Sequence, residues 1–150
     1  MALADLVATL RTDLSDPSGD LFTDEVLGRC ILKGVYRLAR DLDITLSVVD
    51  GEVSPEPEGE TRELLLLLGQ IHACQVMRAA TANAFSFSSG DKRVDKSKQP
   101  EHWAKLEEDL KAVYKQRLGE IKPGASASPE DYIISPSDLK PVIYEQGSDL

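Results

Sequence analysis

The side chains that could do chemistry are two histidines, two cysteines and many carboxylates, but their spacing assembles no catalytic or metal site. His72 and Cys74 lie two residues apart on a predicted helix, so their side chains point to different faces. Zinc would need further ligands at convergent spacing, and the sequence has none nearby. His102, in the first turn of another predicted helix, is expected to be exposed. The sequence therefore predicts no metal ion, and His72 is expected to have a structural role.

The motifs of nucleotide-binding and hydrolytic enzymes are also missing from the sequence. Gly90, Asp91 and Lys92 lack the second glycine and the preceding buried strand of a phosphate-binding loop. The sequence has no Gly-x-Ser-x-Gly turn and no Glu-x-x-His pair for a di-metal helical bundle. The carboxylates fall on predicted solvent-facing surfaces. We therefore expect no catalytic residue, no cofactor and no enzymatic activity.

The acidic charge of the chain limits how it could bind nucleic acid. A formal net charge of −9 argues against a general nucleic-acid binder, which needs a basic face. One short stretch is nevertheless basic, with Asp95 inside it. Its cations are Lys92, Arg93, Lys96 and Lys98. This stretch is either a solvated loop or a loop that touches DNA, and the sequence leaves both interpretations open.

The composition favours one helical core. Hydrophobic residues make up 41% of the 150 residues, and only eight residues are aromatic, so Leu, Val, Ile and Ala must fill the core. Such a core suits helix-on-helix packing better than a β-sandwich. Cys30 and Cys74 lie in apolar helical patterns, which indicates reduced, buried thiols in a cytosolic compartment. We also expect neither an export signal nor an apolar run of transmembrane length.

Periodic leucines and turn residues predict the first two helices. The first helix covers residues 2–14, and the turn-forming residues 15–20 end it. Thr23 is suited to cap the second helix, which should run to about Asp43. The predicted buried stripe of the second helix is Leu27, Cys30, Ile31, Gly34, Val35, Leu38 and Leu42, and Arg29, Lys33, Arg37 and Arg40 lie on its other side.

The middle of the chain combines a short extended segment with a long helix. Alternation of apolar and polar residues over 44–48 predicts a strand, and an acidic loop follows from Asp50. A helix over 59–86 contains five consecutive leucines, 64–68, which must be buried on all sides. Small residues further along this helix would let neighbouring helices approach closely. They are Gly69, Ala73, Ala79, Ala80, Ala82 and Ala84.

A fourth helix opens near Pro100 and continues to Ile121. Its predicted apolar stripe is Trp103, Leu106, Leu110, Val113, Tyr114 and Ile121. Two acid-first pairs, Glu101–Lys105 and Glu107–Lys111, are expected on its outer surface. The sequence thus predicts a mainly α protein: a bundle of about four helices over residues 1–121, a minor extended segment and a long irregular tail.

The tail, residues 122–150, has a different composition from the bundle. It carries four of the eight prolines, which rule out a regular helix or a central strand. Two apolar clusters interrupt it: Tyr132, Ile133 and Ile134, and then Val142, Ile143 and Tyr144. Spaced apolar anchors are typical of a segment that orders on a partner. The alternative is a tail that folds back over its own core.

Two strings of residues flank the predicted leucine-rich helix. The first string, Leu14–Glu25, opens the second helix. The second string, Phe85–Lys92 continued by Gln99–Trp103, opens the last helix. Together with the leucine-rich helix between them, these strings resemble the head–tail connector (adaptor) proteins of tailed bacteriophages. The resemblance covers about residues 1–120, and the tail beyond residue 122 lies outside it.

The resemblance implies a structural virion protein, made in the bacterial cytoplasm, that forms a ring beneath the portal. The ring, expected to be dodecameric, would extend the DNA channel and dock the neck or tail-completion protein, without sequence-specific DNA binding. The two apolar tail clusters would be the docking anchors, and the basic stretch would face either the DNA or solvent. The rival hypothesis is a cytosolic helical regulator or chaperone-like protein whose tail packs on its own core. A third is a DNA-packaging accessory that uses the basic stretch.

Overall fold

The computed structural model describes residues 1–87 and 99–122, with residues 83–87 described as helical backbone. This part of the chain forms four helices and one β-hairpin. The helices are α1 (Leu3–Asp13), α2 (Asp24–Leu42), α3 (Gly59–Phe87) and α4 (Gln99–Ile121). The strands β1 (Ser47–Val49) and β2 (Glu52–Ser54) pair antiparallel between α2 and α3. The predicted mainly α bundle with a minor β segment is confirmed.

Helix α3 is the centre of the fold, as its five leucines predict. All of residues 64–68 are buried, because α1, α2 and α4 pack around this part of the helix. Two glycines permit the close approach. A Cβ atom at Gly34 would lie 3.2 Å from Leu65 Cδ1, and one at Gly69 would lie 3.0 Å from Leu10 Cδ2. Further along α3, the exposed Ala79, Ala80 and Ala82 correct the expectation that these residues lie between helices.

Helix α2 is amphipathic, and the side that it buries is the predicted one. Its buried residues are those of the predicted stripe from Leu27 to Leu38, and Leu42 is half-buried. The Thr23 hydroxyl accepts a hydrogen bond from the Val26 backbone N–H, so the predicted cap is present. At the other end Asp43 adopts a left-handed conformation, and its backbone N–H bonds Ala39 and Arg40 carbonyl oxygens.

Helix α4 is rotated about its axis relative to the sequence prediction. Leu106 and Val113 are each 41% exposed and Ile121 is 44% exposed, although all three belong to the predicted core stripe. Leu118 and Glu107 are buried in their place. Glu107, predicted on the outer surface, is held inside by an ion pair of 2.9 Å between its Oε2 and Nη1 of Arg78 on α3. The predicted pairing of Glu107 with Lys111 is present at 3.6 Å.

The hairpin corrects the predicted strand and loop. The strand begins at Ser47 rather than residue 44, and its partner β2 lies within the segment predicted as an acidic loop. Val53 of β2 is buried, and its backbone N–H donates to the carbonyl oxygen of Met1. An isolated bridge between Ala2 and Glu52 adds a further contact. The start of the chain thus supplies the partner groups that make this short hairpin form.

Helix α3 contains a segment of transmembrane length, contrary to the expectation that the chain has none. Within α3, the 24 residues Gly59–Ala82 are long and apolar enough to cross a membrane. Half of the apolar window is buried inside the protein, among the leucines that form the core. The core helix of a bundle meets the same length and composition test.

Candidate interaction surfaces

The turn between α1 and α2 is fixed by a network of charged and backbone groups. Arg11 donates to the Asp16 carboxylate at 3.0 Å, to the Phe22 carbonyl oxygen at 2.9 Å and to Asp24 Oδ1 at 2.6 Å. The buried Asp16 carboxylate also accepts from the backbone N–H groups of Leu21 and Phe22. This network accounts for the Leu14–Glu25 string in structural terms, because it sets the position of α1 beside α2.

The Asp16 carboxylate should make the fold acid-sensitive. Burial alone would raise its pKa, but the Leu21 and Phe22 N–H groups and the Arg11 guanidinium outweigh burial and lower the pKa. A pKa lower in the folded than in the unfolded state gives stability that is present above about pH 4, the unfolded value, and is lost as the pH falls through the folded value. We expect the urea midpoint to fall from pH 6 to pH 3, and to fall less in Asp16→Asn. An equal fall of the urea midpoint in both proteins would contradict this role of Asp16.

An apolar groove lies between α1 and α2 and is open to solvent. Its volume is about 930 Å³. Small and apolar residues line it together with several charged residues. The small and apolar lining includes Leu3, Ala4, Val7, Ala8, Gly28, Leu32 and Val48, and the charged lining includes Arg11, Asp24, Glu25 and Arg29. Neither Glu25 nor Arg29 forms an ion pair within the described residues, so both are available to a neighbouring molecule.

A second apolar surface runs along α4, and we call Leu106, Leu110 and Val113 the α4 row. The members are three or four residues apart and therefore share one side of the helix. Leu106 and Val113 are partly exposed, each at 41%, and Leu110 is half-buried. Val113 also lines a small polar cleft of about 290 Å³ with Asp13 of α1 and Glu63 of α3. Burial raises the pKa of Asp13, and the nearby Glu63 carboxylate raises it further while Arg62 opposes both.

The groove and the α4 row lie on opposite sides of α1. Ala4 and Ala8 of α1 face the groove, whereas Asp13 faces the cleft that Val113 lines. These residues fall on different sides of the helix, because each residue turns the side-chain direction by about 100°. Neither surface is evident from the sequence, because the α4 row matches a core stripe and the groove depends on how two helices pack.

The residues singled out in the sequence for chemistry are not brought together into a site. His102 is exposed, while Nδ1 of the half-buried His72 contacts Gln75 Oε1 at 3.3 Å. In the described residues there is no group of three or more His, Cys, Asp and Glu that could hold a metal ion. The predicted docking residues Tyr132, Ile133, Ile134, Val142, Ile143 and Tyr144, and the basic residues Lys92, Arg93, Lys96 and Lys98, lie outside the described residues.

Both cysteines are free and buried, as their apolar patterns indicate. Burial raises the pKa of Cys74 to about 11, and the Glu107 carboxylate and Cys30 contribute in the same direction. Burial likewise raises the pKa of Cys30 against the opposing charge of Lys33. We expect the thiols to react with a thiol-specific reagent at pH 8 roughly 100-fold more slowly in the folded protein than in urea, because little thiolate is present. Rapid reaction of either thiol in the folded protein would contradict this.

Comparison of the chain with protein-family models, with curated proteins and with solved structures gave no match.

Proposed function

We propose that this chain is a structural virion protein, a head–tail connector that forms a ring beneath the portal, extends the DNA channel and docks the neck or tail-completion protein. The observation that carries the proposal is the pair of unlike apolar surfaces on opposite sides of α1. The resemblance of Leu14–Glu25 and Gln99–Trp103 to connector proteins supports the same function.

The two surfaces favour a ring over a symmetric dimer. A contact between unlike patches leaves one patch of each copy free for the next copy, and the series closes into a ring when the rotation permits. In our proposal the α4 row of one copy enters the α1–α2 groove of its neighbour.

The tail supplies the proposed link to other virion proteins. The clusters Tyr132–Ile134 and Val142–Tyr144 are separated by one short stretch, residues 135–141, that is rich in Pro and Ser. Such spacing suits a strap whose apolar anchors enter pockets or add to a sheet edge of a partner. In the proposal the partner is the portal or the neck protein, and the bundle supplies the contacts between copies.

Capture on the portal tests this function. Full-length protein and a truncation after Lys122 are each passed over the immobilised portal oligomer encoded by the same genome. We expect the full-length protein to bind to the portal and the truncated protein to pass through without binding. Binding by both would keep the connector role and move the contact to the bundle. Binding by neither, together with a lower melting temperature of the truncation, would replace the proposal with a regulator whose tail covers its own core.

A further inference from the structure

The outer side of α2 is basic in a chain that is strongly acidic overall. Arg29, Lys33, Arg37 and Arg40 follow one another over about 16 Å of the helix at 1.5 Å per residue. Arg29, Lys33 and Arg40 are exposed, and Arg40 is 76% exposed. Lys33 and Arg29 form no ion pair within the described residues. We call these four residues together with Lys111 of α4 the basic face.

Lys111 joins the basic face because α2 and α4 meet over His72 of α3. Burial lowers the pKa of His72; a hydrogen bond to the Gln75 side-chain oxygen opposes this, and the charges of Lys33, Arg37 and Lys111 lower the pKa further. Lys33 and Arg37 of α2 and Lys111 of α4 therefore all lie close enough to this half-buried ring to act on it electrostatically. The Nε2 atom of that ring has no hydrogen-bond partner in the described part of the chain.

The carboxylates that contact this face lie beneath the cations. Asp41 accepts from Arg37 Nε and Arg40 Nε, both at 3.4 Å, and from the Tyr114 hydroxyl at 2.8 Å. Glu107, which lies 3.6 Å from Lys111, is 3% exposed. Arg37 is further held by the Tyr114 ring, whose centre is 5.5 Å from its Cζ atom. The half-buried Asp41 and the buried Glu107 thus orient the cations, and the cations remain in contact with solvent.

We propose that the basic face is the surface of this protein that contacts the phosphates of duplex DNA. The DNA backbone carries about one charge per 1.7 Å of axis, so a row of cations can meet it in any register without reading sequence. The acidic remainder of the chain repels DNA and so leaves this face as the side turned toward it. The position of the face in the channel rests on the proposed connector function.

A matched pair of variants tests the surface. Lys33→Gln with Arg40→Gln removes two charges from the basic face, and Lys105→Gln with Arg117→Gln removes two charges elsewhere, so both variants have the same net charge. Binding of a fluorescent DNA duplex to full-length protein, free and on the portal, is measured by anisotropy between about 50 and 200 mM salt. We expect the basic-face variant to bind DNA more weakly, and the slope of its log binding constant against log salt concentration to be smaller by about two. The control variant should keep the slope of the unaltered protein.

Three results would overturn the inference: equal losses in the two variants, no duplex binding by the unaltered protein in either form, or loss only on replacing Lys92, Arg93, Lys96 and Lys98 by Gln. Portal capture separates this inference from the proposed function. Portal capture without DNA binding would overturn the DNA contact of the basic face and keep the connector role. DNA binding that depends on the basic face, without portal capture, would keep the DNA contact and overturn the connector role.

Discussion

Replacing Leu106 and Val113 together by Gln is expected to abolish assembly of the proposed ring while the monomer stays folded. Both side chains are 41% exposed in the monomer, so their replacement removes little from its core. In the ring both would enter the groove of the neighbouring copy. Truncating a central interface residue costs about 2 kcal/mol or more, and the loss recurs at every contact around the ring. Mass photometry of the protein on the portal oligomer measures the result.

The control for this variant is a second pair of exposed apolar residues away from both surfaces. Tyr36 on α2 is 64% exposed and Val49 on β1 is 58% exposed, and neither lines the groove or the cleft. Replacing both by Gln should leave assembly unchanged. Loss of assembly in both pairs would point to a general need for surface hydrophobicity. Full assembly of the Leu106→Gln, Val113→Gln protein would remove the α4 row from the interface.

Replacing Leu68 by Ala is expected to destabilise the fold by about 2–5 kcal/mol, because the side chain is fully buried and its neighbours can fill the space only in part. Leu68 packs at the closest approach of α2 and α3, where a Cβ atom on Gly34 would lie 3.3 Å from Leu68 Cβ. A loss of this size is a large fraction of the stability of an ordinary domain. Urea unfolding followed by circular dichroism measures the change.

Leu106→Ala is the matched control, since it makes the same chemical change at an exposed position of α4. We expect it to change the free energy of unfolding by no more than about 0.5 kcal/mol. Similar losses at the two positions would mean that α4 packs on its predicted stripe, and the observed rotation of the helix would then be wrong.

Local patterns were enough to predict the helices and the core of α2 and α3. The Thr23 cap, the stripe from Leu27 to Leu38 and the leucines 64–68 depend on neighbours within a few turns, so sequence spacing reveals them. The hairpin depends on distant groups. Val53 donates its backbone N–H to Met1, which is 52 residues away in the chain, and no local pattern indicates that partner.

The rotation of α4 shows why the interaction surfaces were harder to predict. Its sequence carries two overlapping apolar stripes, and an ion pair between Glu107 and Arg78, 29 residues apart, favours the one that contains Tyr114 and Leu118. The other stripe is left at the surface as the α4 row. The basic side of α2 was visible in the sequence, but its junction with Lys111 exists only because α2 and α4 both pack on α3.

The central claim is that copies of this chain form a closed ring on the portal through unlike surfaces. The most direct test introduces one cysteine in the groove and one in the α4 row, Ala8→Cys and Val113→Cys, in a background where Cys30 and Cys74 are replaced by Ala. After mild oxidation on the portal, the account predicts disulfide-linked ladders that end at a single ring-sized species, and only when both cysteines are present. Monomers alone, or disulfide-linked dimers of either single-cysteine protein, would contradict it.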